Sequence, residues 1–264
     1  GTLKPSSDPV INVPTVKNLT ADGGSEVTLA YGNYTGTLRF TGSTADITGG
    51  SFVLAADGIT VTDSTVNISG GSFKNTLQDS SVCVKTGEGG TLNLSDGSFD
   101  WGWYFPTEGT GVLNLSGGSF GSVVVRAERG GTANISGGTV STSAGLYSED
   151  GGKVQLSGGS FGEIYIDRNP DGFGAVLADG YTLAYPNGEL VQNLWNASSD
   201  MLTVQVTVVP HMHDLRNTAH TCPDCGYVCR HNSGYENGAC KACGYVCTHA
   251  AVDADLNCTV CGMA

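Results

Sequence analysis

Twelve cysteine and histidine residues near the end of the chain recur in one pattern. They form three phrases with a period of 18 residues, which are His211-x-His213-x8-Cys222-x2-Cys225, Cys229-x-His231-x8-Cys240-x2-Cys243 and Cys247-x-His249-x8-Cys258-x2-Cys261. Each phrase supplies four thiolate or imidazole groups, which is the ligand set that tetrahedral zinc prefers. The pattern predicts about three structural zinc ions per chain, because four protein ligands leave no position for a water molecule.

Disulfide bonds are the alternative use of these cysteines. Eight of the nine cysteines follow residue 220, and an even number would allow four disulfides in an oxidising compartment. The histidines favour zinc, because disulfides do not require imidazoles at a fixed register. A different grouping of ligands, C-x2-C-x3-C-x-H, would leave two histidines of the first phrase and two cysteines of the last phrase unused. Units this short cannot bury a core, so metal binding would supply most of their folding free energy.

The chain that precedes this tail repeats a different phrase six times. The copies are ITGGSF from Ile47, ISGGSF from Ile68, LSDGSF from Leu94, LSGGSF from Leu115, ISGGTV from Ile135 and LSGGSF from Leu156. The leading aliphatic residues are 21, 26, 21, 20 and 21 residues apart. A fixed period in this range indicates one structural unit that is stacked on itself.

Each unit has the pattern of short strands joined by a tight corner. In one unit, Leu92 and Leu94 alternate with polar residues, as in a half-buried strand. The glycine pair that follows in most units predicts a corner, because glycine accepts a positive φ. The closing aromatic, Phe99 in this unit, is expected to point inward, and a second strand such as Val123–Val125 follows in several units. The pattern predicts an all-β parallel β-helix with 20–26 residues per coil.

The patterns divide the chain into two regions. Residues 1–209 are predicted to form the β-helix, with a lead-in, a repeat proper from about Val27 to about Arg168, and a C-terminal cap. The alternating stretch Leu202–Val209 is expected to cover the open end of the stack. Pro210 is expected to end that strand, and residues 210–264 form the three zinc-binding units.

The T-x-N-I-S-G-G-S-F coils resemble the repeat regions of secreted or surface proteins from Gram-positive gut bacteria. These proteins are right-handed parallel β-helices of the pectate-lyase-like type. The tail of C-x2-C-G-x2-C-x-H phrases is similar to tails found after such repeats. The resemblance implies an extracellular or cell-surface location and a role in carbohydrate binding or adhesion.

Two sets of side chains are candidates for binding a ligand on the side of the coils. They are an aromatic cluster and a column of charged turn residues, namely Trp101, Trp103, Tyr104, Glu108, Arg126, Glu128, Glu149 and Asp167. The aromatic cluster has two possible roles, as a stacking platform for sugar rings or as filling of the core. Trp101 and Trp103 are expected to share a face of the strand, with Tyr104 pointing inward. The acidic column would suit calcium, or it reflects charge that collects in solvated turns.

An asparagine column is the other regular feature of the repeat. Asn67, Asn93, Asn114 and Asn134 occupy one slot, and Asp46 and Gln155 take the same slot in flanking coils. Stacked side-chain amides explain this column better than glycosylation at the N-x-S triplets that the repeat creates.

Net charge narrows the function classes. Twelve Lys and Arg residues against 25 Asp and Glu residues give a net charge of −13, which argues against binding to nucleic acid or to an anionic membrane. No apolar run is long enough for membrane insertion. We expect a monomeric, non-enzymatic extracellular module whose β-helix presents a face to a glycan or host surface, with the zinc units as spacer or docking element. A polysaccharide lyase or glycoside hydrolase that uses the acidic and Arg column is the alternative, and a structural stalk is a third.

Overall fold

The computed structural model describes residues 15–77, 82–167, 173–192, 194, 200–212, 222, 224–225, 235–236 and 239–240. The strands are β1 (Thr15–Asp22), β2 (Glu26–Leu29), β3 (Asn33–Thr41), β4 (Thr44–Ile47), β5 (Ser51–Thr62), β6 (Thr65–Lys74), β7 (Val82–Thr86), β8 (Thr91–Phe99), β9 (Trp103–Glu108), β10 (Val112–Leu115), β11 (Ser119–Glu128), β12 (Thr132–Ser148), β13 (Lys153–Asp167), β14 (Tyr181–Ala184), β15 (Asp200–Leu202), β16 (Val206–Pro210), β17 (Tyr235–Glu236) and β18 (Ala239–Cys240). One four-residue helix, α1 (Phe173–Val176), follows β13.

The strands stack in parallel register and form a β-solenoid of about seven turns, as the repeat predicts. Each turn contributes to three ladders, which we call the first, second and third faces. The first face contains the rungs 44–47, 65–68, 91–94, 112–115, 132–135 and 153–156. The second face contains the predicted aromatic column, and the third face contains the rungs 103–108, 123–128, 143–148 and 163–167.

Aromatic side chains of the second face stack directly over one another in the core. The ring centroid of Phe73 lies 4.5 Å from that of Phe52 and 4.3 Å from that of Phe99, and the three rings are nearly parallel. Tyr34 and Phe120 extend the stack at its two ends. All five side chains are buried, so identical positions in successive units share one apolar core.

The glycine pair at the corner within β6 is required for two different reasons. At Gly71 the backbone has φ +108°, which side chains other than glycine rarely adopt. At Gly70 a Cβ atom would lie 2.5 Å from the carbonyl oxygen of Thr48 in the preceding turn. The first glycine therefore permits close stacking of turns, while the second permits the corner itself.

The solenoid extends beyond the predicted start of the repeat. β1 pairs in parallel with β3 from Thr15 onward, whereas the sequence places the first coil at about Val27. Early turns lack the GGSF phrase, but they keep an inward aromatic or aliphatic residue at each core position, such as Tyr34 and Leu38. Core geometry tolerates these substitutions, since shape and apolarity matter more than identity.

The C-terminal end of the solenoid is covered by antiparallel strands. β15 and β16 both pair with β13, and β16 also pairs with β14. The predicted single capping strand is thus two strands, with a break at residues 203–205. The sequence predicts that the capping strand ends before Pro210. In the structure Pro210 is the last residue of β16 and pairs with Tyr181, so the predicted end is wrong by one residue.

The asparagine column forms a hydrogen-bonded ladder on the outer surface of the first face. Each amide donates to the side chain one turn below, from Asn67 to Asp46, from Asn93 to Asn67, from Asn114 to Asn93 and from Asn134 to Asn114, at 2.8–2.9 Å. This arrangement supports the structural interpretation of the column, since these amides already have partners along the stack.

Candidate functional site

The third face presents a row of half-exposed tyrosines to solvent. Tyr104, Val124, Gly145 and Tyr165 lie at the same register position in four successive turns. The column beside it places Arg126 next to Tyr147 in register. A shallow concavity of about 260 Å³ lies between these columns, and we call it the tyrosine groove; its lining residues are Tyr104, Val124, Arg126, Tyr147 and Glu149.

The ring of Tyr165 lies over Gly145, its neighbour in register. A Cβ atom on Gly145 would lie 2.4 Å from the Tyr165 hydroxyl and 2.5 Å from the ring carbon that bears it. The ring of Tyr147 meets the ring of Tyr165 edge-on, with centroids 5.8 Å apart and planes at 83°. Gly145 therefore makes space for an aromatic surface that continues from the tyrosine groove.

A chain of ion pairs crosses the third face beside the groove. Lys85 Nζ lies 2.8 Å from Glu108 Oε1, and Glu108 Oε2 lies 2.6 Å from Arg129 Nη2. Arg129 also contacts Glu128 at 2.8 Å, which joins the chain to Arg126. The guanidinium of Arg126 then pairs with Glu149, so the network alternates three cations and three carboxylates.

Arg126 and Glu149 are the members of this network that line the groove. Its Nε lies 3.0 Å from Glu128 Oε2 as a charge contact without hydrogen-bond geometry, while Nη2 donates a hydrogen bond to Glu149. The hydrogen bond to Glu149 is the main reason why the pKa of Arg126 lies above its ordinary value, and a bond with Tyr104 acts in the same direction. The guanidinium therefore has Glu149, Glu128 and Tyr104 as partners, which restrict its position.

The structure brings together most of the predicted ligand-binding residues. Glu108, Glu128, Glu149 and Arg126 form one network, as their shared slot in the repeat suggests. Their carboxylates are paired with Lys and Arg side chains. Asp167 pairs with Tyr147 in backbone register, and its side chain lies outside the described part of the structure.

The predicted orientation of the aromatic cluster is wrong. Trp103 is completely buried, where its indole Nε1 donates to Asp100 Oδ1 at 3.1 Å, so it is not available to a ligand. Trp101 is 57% exposed and lies before the start of β9, and Tyr104 points outward. The two tryptophans do not share a face because Gly102, with φ +81°, interrupts the extended backbone between them.

Two aromatic residues of this face, Tyr147 and Tyr165, are missing from the sequence-based candidates. The signal that would have found them is the inward column Trp103, Val123, Ala144 and Ile164, which sets the register of the third face. Once that register is known, the residues one and three positions after each of these must point outward, which gives Tyr165 in one column and Tyr147 in the other. The repeat phrase does not cover this strand, so sequence spacing alone does not supply the register.

Three predicted metal ligands of the first Cys/His unit converge. The imidazole of His211 and the thiols of Cys222 and Cys225 offer ligand atoms that all lie within 4.8 Å of one another. His211 Nε2 is 3.2 Å from Cys222 Sγ, and both cysteines are fully buried. Neither cysteine forms a disulfide with another described residue.

The remaining predicted zinc ligands fall outside the residues whose side chains are described. Cys240 lies in the two-residue strand β18, and only its backbone is described. The others are His213, Cys229, His231, Cys243, Cys247, His249, Cys258 and Cys261. The second and third zinc sites therefore stay predictions from the sequence.

Fold and site define a repeat protein of the parallel β-solenoid class, with a lateral aromatic groove on its third face. No known family model, curated protein or solved structure matches the chain. Within the described ranges, no helix is long and apolar enough to cross a membrane.

Proposed function

We propose that the protein is a non-enzymatic extracellular binding module and that the tyrosine groove holds a carbohydrate chain. The observation that supports this proposal most directly is the row of half-exposed tyrosines beside a fixed Arg126–Glu149 pair. Tyrosine rings offer a rigid apolar surface for the flat face of a sugar ring, and they lose little conformational entropy on binding. Charged and hydroxyl groups at the same site would bind sugar hydroxyls and orient the chain.

The spacing of the turns suits an extended ligand that runs along the solenoid axis. Neighbouring rungs in a sheet are about 4.8 Å apart, so Tyr104 and Tyr147, two rungs apart, are separated by about 10 Å along the axis. Tyr165 adds a third ring one rung further. A linear polymer would contact successive rings, and each contact would add to its affinity.

Charge balance in the ion-pair network favours a neutral glycan. The three carboxylates of the network are matched by Lys85, Arg126 and Arg129, while the chain as a whole carries −13. A polyanionic glycan would meet no excess positive charge at the groove and would be repelled by the rest of the surface. Pectin and hyaluronan are therefore expected to bind more weakly than neutral polysaccharides.

The pairing of the carboxylates also supports a binding role over a catalytic one. Glycoside hydrolysis needs two carboxyl groups that flank a sugar bond, one as acid and one as base or nucleophile. Here the oxygens of Glu108, Glu128 and Glu149 contact Lys and Arg side chains. The network gives the face a fixed shape for recognition.

Affinity electrophoresis of the full chain against soluble neutral polysaccharides (mannan, arabinoxylan, β-glucan) and against polygalacturonate and hyaluronan tests the proposal. Retardation by at least one neutral polymer is expected, with Tyr147→Ala and Tyr104→Ala each weakening it about tenfold, since one stacked aromatic contact contributes about 0.5–1.5 kcal/mol beyond its buried area. Tyr31→Ala, which removes a half-exposed tyrosine near the N-terminal end, is the matched control and should bind normally.

Three results would contradict the proposal. Binding that is lost in Trp101→Ala and kept in Tyr147→Ala would place the ligand at the corner between β8 and β9, outside the tyrosine groove. Release of new reducing ends or unsaturated products would make the protein an enzyme. Absence of retardation by all five polymers would favour a structural stalk.

A further inference from the structure

We infer that the first Cys/His unit binds a zinc-type ion and that this ion fastens the C-terminal cap onto the solenoid. The three converging ligands come from two separate segments of the chain. His211 directly follows the capping strand β16, whereas Cys222 and Cys225 belong to the tail. One ion bound to all three would join the tail to the cap.

The ligand atoms fit a tetrahedral zinc site better than a hard-cation site. With Zn–S near 2.3 Å and Zn–N near 2.0–2.1 Å, tetrahedral ligand atoms lie about 3.5–3.8 Å apart. The observed group lies within 4.8 Å, and the closest pair, His211 Nε2 and Cys222 Sγ, is at 3.2 Å. Two thiols and an imidazole select zinc over calcium or magnesium, which take oxygen ligands.

Burial of both thiols is compatible with a bound ion. Cys222 and Cys225 are both 0% exposed. Cysteine is often buried without a metal, and a metal-bound thiolate pair can also be enclosed because the ion compensates for the loss of solvent. Residue 213, the predicted fourth ligand, lies outside the described residues.

Backbone contacts tie this site to the end of the solenoid. The backbone N–H of His211 donates to the carbonyl of Gly180 at 2.8 Å, and the side-chain amide of Gln192 donates to the carbonyl of Asp224. β16 itself buries Val206 and Val208 against the core. The segments that carry the three ligands are therefore hydrogen-bonded to the C-terminal end of the solenoid at two points.

The cap pairs with the last turn of the solenoid over short stretches, which is why a metal would matter. β16 pairs with β13 at two positions and β15 pairs with β13 at three, while the four pairs between β14 and β16 join cap strands to each other. β13, by contrast, pairs with β12 along most of its length. Because the terminal unit of a stack contacts a neighbour on one side only, its stability depends on such additional bonds.

Hydrogen–deuterium exchange of the full chain, read by mass spectrometry, measures the effect of the ion on the cap. With zinc at a hundred times its Kd, exchange in β14 and β16 should be about a hundredfold slower than after removal of metal with a chelator. Exchange in β8 to β12 should not change, and this comparison also reports whether the protein is folded.

Matched variants separate this site from the rest of the tail. Cys222→Ser should lose one zinc per chain, measured by metal mass spectrometry, together with the protection of β14 and β16. Cys240→Ser, which alters the predicted second unit, should leave the protection of the cap unchanged. Cobalt in place of zinc should give thiolate-to-metal absorption that is weaker in Cys222→Ser.

The inference is overturned if chelation leaves exchange in β14 and β16 unchanged, or if Cys222→Ser keeps the full zinc content. A Cys222–Cys225 disulfide in protein purified without chelator would also overturn it. Should Cys222→Ser fail to fold, the chelation experiment on the unaltered chain decides alone. Glycan binding at the tyrosine groove is independent of these outcomes, because the groove lies on central turns.

Discussion

The first and third faces of the solenoid share one core but use their outer side chains in opposite ways. On the first face, one asparagine column repeats through successive turns, and its amides bond to one another. On the third face, the corresponding outward positions differ from turn to turn and include tyrosines, Gly145 and the ion-paired Arg126. Where the same residue type repeats from turn to turn, its side chains form hydrogen bonds with one another. Where the residue type varies from turn to turn, the side chains face solvent and can contact a ligand.

This contrast predicts which substitutions change stability and which change binding. Residues of the first face and of the core should affect the free energy of unfolding. Residues of the tyrosine groove should affect glycan binding with little effect on folding. Four further measurements, on variants of Phe73, Asn93 and Cys83, examine stability and binding separately.

The largest effect is expected from Phe73→Ala, which removes a ring from the middle of the aromatic stack. The ring contacts Phe52 and Phe99 on its two sides and Trp103 at its edge. Truncation of such a buried aromatic costs about 3–5 kcal/mol, measured by urea unfolding. Phe73→Leu should cost less because it refills part of the cavity, and a loss below about 1 kcal/mol in Phe73→Ala would show that the stack is not the main support of the core.

A smaller loss is expected from Asn93→Ala, which breaks the ladder of the first face. Asn93 donates to Asn67 and accepts from Asn114, so two hydrogen bonds disappear. At about 0.5–1.5 kcal/mol per bond, the free energy of unfolding should fall by about 1–3 kcal/mol. Asp46→Ala, which removes the acceptor for Asn67 at the end of the ladder, should cost about half as much.

Glycan binding distinguishes the two faces in the same variant. Asn93→Ala should bind neutral polysaccharide with unchanged affinity, because the first face takes no part in the groove. A large loss of affinity in folded Asn93→Ala would show that the faces are coupled, and the division proposed above would be wrong.

The smallest effect is a pH dependence at Cys83, which lies below Tyr104 in register on the third face. Burial raises the pKa of this thiol from 9.0 to about 11. Since the folded chain keeps the proton that the unfolded chain loses, the stabilising effect of Cys83 is complete below pH 9 and is lost as pH rises through 11.

Urea unfolding at pH 8 to 11 of the unaltered chain and of Cys83→Ala measures this contribution. The unaltered chain should lose more stability over that range than the variant, in which the titrating thiol is absent. Parallel curves would show that the thiol titrates normally. The two proteins differ at residue 83 alone, so the difference between the curves is the informative quantity.

The tail and the solenoid both consist of repeats, but their sequences specify structure by different means. In the solenoid, an apolar residue at each period packs against its copy in the next turn, and the aromatic rings stack in this way from Tyr34 to Phe120. In the tail, the repeated residues are ligands, and three of them converge in the first unit. Zinc in the other two units stays a prediction from the spacing of their ligands.

The sequence by itself determined the period, the parallel stacking, the inward Phe column and the asparagine ladder. Each of these follows from local pattern, because residues one period apart must lie in the same position of successive turns. The sequence also predicted that Glu108, Glu128 and Arg126 would come together, since they occupy matching turns.

Only the tertiary structure decided which aromatic residues of the third face meet solvent. Gly102 interrupts the strand before Trp103, so alternation counted from Trp101 assigns the wrong face. A shift of one residue moves every following side chain to the opposite side of a strand. The register that corrects it is set by hydrogen bonds to the neighbouring turns, and it makes Tyr104 an outer residue and Trp103 a core residue.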